Sequence, residues 1–288
     1  MITVLGPTAC GKTHYATRLA SEINGEIISA DSRQVFRGMD IGTGKDLSEY
    51  TIDGKQIPYH LIDIRNPGEE YSVFDFVSDF YVAYDDIISR KKTPILCGGT
   101  GLYLSAVLQH YQFSKVPIDK AFHEEMSKLE HADLIARLQA LSSTHNTTDL
   151  EIKERTIRAL EIAVHESKSV NKQIPRFTRD DSNDTVFAIF PERDIVRNRI
   201  TQRLKTRLNT GLIEEVETLI QQGVSTERLL FYGLEYKFVT LYLLGNISKT
   251  ELFEQLNIAI HQFAKRQMTW FRKMQREGVS MTIVEPLS

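Results

Sequence analysis

Residues 2–13 read Ile2-Thr3-Val4-Leu5-Gly6-Pro7-Thr8-Ala9-Cys10-Gly11-Lys12-Thr13. A short β-rich run ends in glycine, and the residues that follow spell G-x-x-x-x-G-K-[ST]. Thr13 to Ile23 then carries apolar residues at helical spacing, so strand, loop and helix succeed one another. In that context the loop's backbone N–H groups and the helix N-terminus form a nest for a di- or triphosphate. Lys12 adds a point charge, and the Thr13 hydroxyl can hold Mg²⁺. The motif fixes a phosphate site; it does not fix the reaction.

Working outward, Glu26-Ile27-Ile28-Ser29-Ala30 reads as a second strand that ends at Asp31, and Tyr59 to Ile64 as a third. A helix is expected over about 72–91, then a strand from Thr93 to Cys97 running into Gly98-Gly99-Thr100-Gly101. Continuous apolar strands alternating with helices predict an α/β fold: a P-loop NTPase-like parallel sheet with helices on both faces. Right-handed crossovers put every strand's C-terminal loop on one edge, so three further strand ends converge on the phosphate loop. Asp31 there can serve as a general base, as a Walker-B-like Mg²⁺ ligand, or as a helix cap. Asp63 competes with it for the metal. Thr100 offers a positioning hydroxyl in a turn whose glycines admit a ligand closely, although a plain strand-to-helix turn reads the same way. His60 is expected to be structural.

Residues 113–184 break the rhythm, being charged, mostly helical and without a convincing strand. They are expected to form an inserted region between core segments 1–112 and 185–288. Thr185 to Phe190 returns to strand, followed by helices near 194–222, 230–244 and 248–276 and a last strand near 280–284.

Composition bounds the partners. The 288 residues are 41% hydrophobic and 25% charged, which excludes a fibrous or disordered chain, and no run approaches the roughly 18 apolar residues of a membrane helix. The opening residues lack a basic leader, so no targeting segment is expected. Net charge is −3, yet residues 191–276 hold 14 basic and 9 acidic side chains, making the C-terminal third the polyanion-facing surface. Cys10 and Cys97 match no zinc or disulfide spacing, which fits a reducing cytoplasm. Arg155 and Arg158, one turn apart beside Glu154 and Glu161, can clamp a phosphate or form a salt-bridged face. Arg197, Arg199, Arg203 and Arg207 form a second basic run. Lys265 to Lys273 mixes cations with Trp270 and Phe271, as a surface gripping single-stranded nucleic acid does, or as a core helix with cations at its C-terminus does.

Together these segments resemble one family, the tRNA dimethylallyltransferases, also called tRNA isopentenyltransferases. The resemblance lies in GPTACGKT at 6–13, SADSRQVFRGMDIGTGK at 29–45, HLIDIRNPGEEYS at 60–72, GGTGLYL at 98–104, RTIRALEIA at 155–163, RNRITQRL at 197–204, GLIEEVETL at 211–219 and AKRQMTWFRK at 264–273. These landmarks run in order along nearly the whole chain.

The resemblance implies transfer of the dimethylallyl group from dimethylallyl diphosphate to N6 of the adenosine 3′ of a tRNA anticodon. It implies that Thr8, Ala9, Cys10, Gly11, Lys12 and Thr13 bind the diphosphate, with Mg²⁺ at Thr13. Asp31, Ser32, Arg33 and Gln34 meet the tRNA, Asp31 acting as base, and Lys12 and Thr100 join it as catalytic residues. Glu154, Arg155, Thr156, Ile157 and Arg158 touch tRNA, and Arg199 and Arg203 hold its backbone. A monomer working on the anticodon arm in the cytoplasm, away from membranes, is the expected setting. The chain departs from the family pattern with Cys10 for serine, Phe36 for tyrosine and Glu154 for glutamine. It also has His123 near an expected arginine, and Gly233-Leu234-Glu235 ahead of Tyr236-Lys237. The alternatives are a P-loop small-molecule kinase using ATP, with Asp31 activating a hydroxyl, and a non-catalytic RNA-binding module.

Overall fold

A computed structural model describes residues 1–111, 116–141, 150, 152–168 and 183–286. In chain order, β1 (Ile2–Leu5) leads through the phosphate loop into α1 (Lys12–Ile23), then β2 (Gly25–Ala30). A 3₁₀ turn (Leu47–Tyr50) and the small hairpin β3 (Thr51–Ile52) and β4 (Lys55–Gln56) precede β5 (Tyr59–His60), α2 (Val73–Ser89), β6 (Thr93–Gly98) and α3 (Gly101–Leu108). Three helices follow: α4 (Lys120–Ser127), α5 (His131–Leu141) and α6 (Lys153–Lys168). Then come β7 (Thr185–Ala188), α7 (Arg193–Asn209), α8 (Leu212–Gln221), α9 (Thr226–Leu229), α10 (Leu234–Leu243), α11 (Lys249–Arg276) and β8 (Thr282–Ile283).

Six strands form one parallel sheet in the order β5-β2-β6-β1-β7-β8. β2 is buried at every position, and β1 and β6 at all but their first, so their apolar runs need not alternate. Register decides where the chemistry goes: Leu5 pairs with Gly98 and Ala188, and Ala30 with Gly98. The residues that follow, Gly6, Asp31 and Gly99, therefore leave the sheet side by side at its C-terminal edge. Helix boundaries follow local chemistry. Ser72 and Asp75 form a reciprocal capping box for α2, Ser248 and Glu251 do the same for α11, and Asn24 at φ +56° stops α1.

The chain divides into two compact units, Met1–Gln109 with Arg179–Ser288, and His110–Thr178. In the first, Val35, Phe36 and Met39 from the segment after β2 share a core with Ile200 and Leu204 of α7, Val216 of α8, Val239 of α10 and Leu256 of α11. Fully burying such a side chain is worth about 1.5–3 kcal/mol, so the C-terminal helices hold that segment by its apolar side. The second unit packs Met126, Leu134, Leu138, Ile157, Leu160 and Ala163 from α4 to α6. Among the described residues, no helix is long and apolar enough to cross a membrane.

The third strand is shorter than Tyr59–Ile64. Only Tyr59 and His60 pair, and the chain turns away through Leu61 (φ +62°) and Asp63 (φ +56°). The helical stretch expected over 194–222 breaks at Thr210-Gly211, where Gly11-like left-handed backbone (Gly211, φ +113°) starts α8.

Candidate active site

The phosphate loop is shaped by backbone that side chains resist. Gly11 sits at φ +90° and Ala9 at φ +61°, turning the chain so that α1 starts at Lys12 with its first N–H groups unpaired within the helix. Lys12 folds back to donate to the Pro7 carbonyl at 3.3 Å. Thr8 is held from two helices: its N–H donates to Gln267 Oε1 at 2.8 Å, and its hydroxyl accepts from Arg203. Arg199 reaches within 4.0 Å of where a Cβ on Gly11 would stand. Both arginines thus lie against the loop that holds phosphate. The Thr13 hydroxyl, on the first turn of α1, has no hydrogen-bond partner among the described residues. A free oxygen of this kind suits Mg²⁺, which keeps most of its waters and takes one or two protein oxygens beside phosphate.

The arginines crowd. Burial, then repulsion from Arg207, lowers the Arg203 pKa to about 10. Arg207, 8% exposed, donates to Asp46 at 3.4 Å. Glu235 at the start of α10 faces the same group, and burial raises its pKa despite Arg207 and Arg203. Asp46, Glu235 and Glu49 thus face the arginines that stand beside a loop built for anions. Cys10 is buried behind the loop, and burial pushes its thiol up even with Lys12 nearby. Cys97 is pushed up to about 12 for the same reason. Neither is a reactive thiolate.

On the other side of the edge, Asp31 accepts the N–H of Arg33 through Oδ1 at 2.9 Å. The Ser32 N–H donates to Thr100 Oγ1 at 3.1 Å, and the Thr100 N–H to the Ala30 carbonyl at 3.2 Å. Thr100 also stands at the N-cap of α3. The Arg33 side chain runs beside Gly233 at the entry to α10. Gln34 is a structural tie, since its amide accepts from Ser29 at 3.1 Å and donates to the Gly44 carbonyl at 3.2 Å.

Two charged residues unforeseen in the sequence anchor this segment. Lys45, 1% exposed, donates to the Phe36 carbonyl at 2.6 Å, to Asp40 at 2.7 Å and to Asp63. Glu215 of α8 accepts three consecutive N–H groups, from Asp40, Ile41 and Gly42, and the Tyr236 hydroxyl. Asp63 is therefore a counter-ion of the buried Lys45. His60 is structural, its Nε2 lying 2.8 Å from the buried Glu26.

In the second unit, Glu154 and Arg155 are exposed on α6. Thr156 and Ile157 are not presented for contact: Thr156 is 0% and Ile157 4% exposed, and Thr156 Oγ1 bonds the Ile152 carbonyl and His131. Arg158 pairs with Glu161 and donates to the Val116 carbonyl at 2.6 Å. Burial works to raise the Glu161 carboxyl, but the Asp119 N–H, Arg158 and His123 outweigh it and hold it below the usual range. The mixed run on α11 resolves toward structure. Phe271 is fully buried, and Trp270 donates to Ser105 at 2.8 Å, leaving Lys265, Arg266 and Arg272 exposed.

The family model for IPP transferases matches residues 34–274. A protein named tRNA dimethylallyltransferase 1 from Parabacteroides distasonis is 49% identical over 96% of this chain and 90% of its own length. One of the same name from Syntrophus aciditrophicus is 49% identical over 99% and 93%. Among solved structures, the full-length tRNA isopentenylpyrophosphate transferase of Bacillus halodurans superposes with a TM-score of 0.69 at 32% identity, covering 99% of this chain and 89% of that one. A eukaryotic dimethylallyltransferase captured acting on tRNA shares the fold, with a TM-score of 0.75 at 20% identity over 100% of this chain and 74% of its own. Matched by the family model from Gln34 to Met274 and 49% identical to the Parabacteroides distasonis and Syntrophus aciditrophicus relatives over 96–99% of its length, the chain belongs to the IPP transferase family.

Proposed function

We propose that this chain transfers the dimethylallyl group of dimethylallyl diphosphate to N6 of the adenosine 3′ of a tRNA anticodon, releasing diphosphate. The observation that carries the reading is the register of three strand ends, which sets the phosphate loop, Asp31 and Thr100 side by side at one sheet edge. The names of the relatives point to the same chemistry and away from an ATP-dependent kinase.

An allylic carbon–oxygen bond breaks when the charge left on the diphosphate is met by fixed donors. The loop N–H groups and Lys12 supply them, and Arg199 and Arg203 belong with the leaving group, because both lie against the loop. The Thr13 hydroxyl would hold Mg²⁺, which when bound would supply further positive charge beside the phosphates. Asp31, whose Oδ1 accepts the Arg33 N–H, takes the N6 proton as the carbon–nitrogen bond forms. Thr100 holds the Ser32 backbone, and so fixes where Asp31 begins. A loop adenosine suits this site, since unstacking one base there costs less than in a duplex. Exposed Arg155, Lys265, Arg266 and Arg272 are cations for the RNA backbone, with salt-sensitive binding as the consequence. The setting is the cytoplasm, where unmodified tRNA is at hand.

The test is incubation with isotopically labelled dimethylallyl diphosphate and unmodified tRNA, with and without Mg²⁺, followed by mapping of the label. Diphosphate release that requires both substrates, with label at the adenosine 3′ of the anticodon, is expected. Consumption of ATP with a small hydroxyl acceptor, or RNA retention without turnover, overturns it.

A further inference from the structure

Gln267 lies on α11 at 7% exposure, inside a run otherwise remarkable only for its cations and aromatics. Both ends of its amide are committed. Oε1 accepts the N–H of Thr8 in the phosphate loop at 2.8 Å, and Nε2 donates to the Gly99 carbonyl at the end of β6, also at 2.8 Å. A buried amide is tolerated only when so satisfied, and no other residue of this length offers a fixed acceptor and a fixed donor at once. Gly99 has no side chain for the same reason, since a Cβ there would stand 2.5 Å from Gln267 Nε2. One turn along α11, Trp270 covers Gly101 and donates to Ser105 on α3. The helix therefore grips the turn on both sides of Thr100.

From Gly99 the connection continues. Thr100 accepts the Ser32 N–H, and Ser32 is bonded to Asp31 in the chain. One path of hydrogen bonds and backbone thus runs from Thr8, through Gln267, Gly99, Thr100 and Ser32, to Asp31.

We infer that Gln267 is a positioning residue that couples the diphosphate cradle to the acceptor segment, holding the Thr8 loop and the Thr100 turn in one register so that the leaving oxygen and the attacking nitrogen keep a fixed separation. The inference rests on the transfer reaction proposed above. It assigns Gln267 no contact with either substrate.

The experiment compares the full-length wild type with Gln267→Met, which keeps the length and loses both hydrogen bonds, and Gln267→Glu, which keeps the acceptor and loses the donor. Calorimetry with inorganic diphosphate reads the cradle alone, filter binding reads tRNA affinity, and single-turnover transfer reads the coupled step. For Gln267→Met, diphosphate binding weakens by about tenfold and transfer slows by about ten- to a hundredfold, as two lost hydrogen bonds imply, while tRNA affinity holds. Loss of the Thr100 hydroxyl in Thr100→Val cuts the same path, so the double variant is slower by less than the product of the single losses. The carboxyl introduced in Gln267→Glu regains a donor when protonated. Its rate relative to wild type at the same pH therefore climbs as pH falls, a trend that loss of packing alone does not produce.

Wild-type transfer and diphosphate affinity in folded Gln267→Met, multiplicative losses with Thr100→Val, or a flat relative pH profile for Gln267→Glu each overturn the coupling. Should Gln267→Met fail to fold, the Gln267→Glu profile and its cycle with Thr100→Val decide by the same criteria. If the wild type transfers nothing to tRNA yet Gln267→Met still loses diphosphate, the reaction assignment falls and the loop-positioning role stands.

Discussion

Glu215→Gln is the sharpest test of how the acceptor segment is held. The Glu215 carboxylate accepts the N–H groups of Asp40 (2.9 Å) and Ile41 (2.7 Å) on Oε2, and the Gly42 N–H (3.0 Å) and Tyr236 hydroxyl (2.6 Å) on Oε1. The amide has the same shape but only one acceptor oxygen. With that oxygen turned to Asp40 and Ile41, two charge-assisted bonds become neutral ones, a loss of about 2 kcal/mol, and the Gly42 N–H meets an NH₂ group, adding about 1–2 kcal/mol. The Tyr236 hydroxyl rotates to accept instead. The Asp40 N–H is solvent-exposed, which trims the first figure, so the expected destabilisation is about 2–3 kcal/mol. That is a sizeable part of the ~5–15 kcal/mol typical of a folded domain. Trp270 is the only tryptophan and lies in the same unit, so its fluorescence through a urea titration reports this unit's unfolding. A midpoint shift worth less than about 0.5 kcal/mol, the scale of an ordinary surface change, refutes the reasoning. The functional counterpart is a raised KM for tRNA with the donor KM unchanged, since Gln34 ties the acceptor segment to Gly44 in the loop that Glu215 holds.

Lys12→Ala and Asp31→Ala each abolish transfer in the labelled-donor assay, but only Lys12→Ala weakens inorganic diphosphate binding. Arg203→Met weakens diphosphate binding by tenfold or more, on the order of one charged hydrogen bond, yet leaves the ligand-free melting temperature equal or higher. The reason is that burial and Arg207 disfavour the cation in the folded state, a penalty present throughout the range below its folded pKa of about 10 and relieved only as pH rises above it. Arg158→Ala costs the second unit about 1–2 kcal/mol through loss of the Glu161 pair and the Val116 carbonyl bond. Faster limited proteolysis should accompany any fall in tRNA affinity, and a fall with unchanged proteolysis argues for direct contact. Glu26 is held down to about 2 by hydrogen bonds from Arg90 and, after the opposing effect of burial, from His60. Its stabilisation is complete above the ordinary value of 4.5 and drains away as pH falls toward 2. Glu26→Gln should therefore flatten the acid limb of the stability profile and cost about 1–2 kcal/mol at pH 7, once the 41%-exposed Arg90 is discounted for screening.

Much of the fold is written locally. The glycine at the end of each apolar run, the Gly11-Lys12 turn into α1 and the carboxylate closing β2 are near-neighbour signals, and they place Asp31 and Thr100 beside the phosphate loop. Where the reading failed, the deciding partner lies far away in sequence. Tyr59 to Ile64 has the apolar character of a strand, but a buried Lys45 draws Asp63 out of line, and the backbone turns to let it. Glu215 meets Asp40, Ile41 and Gly42 across more than 170 residues, and Gln267 meets Thr8 across 259, distances at which periodicity carries no information. Thr156 and Ile157 are a different case. Thr156, Leu160 and Ala163 recur at helical spacing and are all buried, so their inward face was legible in the period of α6 itself.

The placement of the cations explains why a phosphate loop alone does not define this enzyme. β1 and α1 deliver backbone donors and one lysine, a set equally suited to a nucleotide. What distinguishes the site comes from α7, where Arg199, Arg203 and Arg207 recur every four residues along one face. Arg203 touches Thr8, Arg199 flanks Gly11, and Arg207 is drawn aside by Asp46. Two added cations at the loop suit an anion whose charge grows during the reaction, because fixed charge that exceeds what the resting ligand needs is spent on the transition state. Glu235 stands among the same arginines, and burial raises it in spite of them. In the proposed reaction these cations would meet the leaving diphosphate while Asp31, at the end of β2, would take the proton from nitrogen.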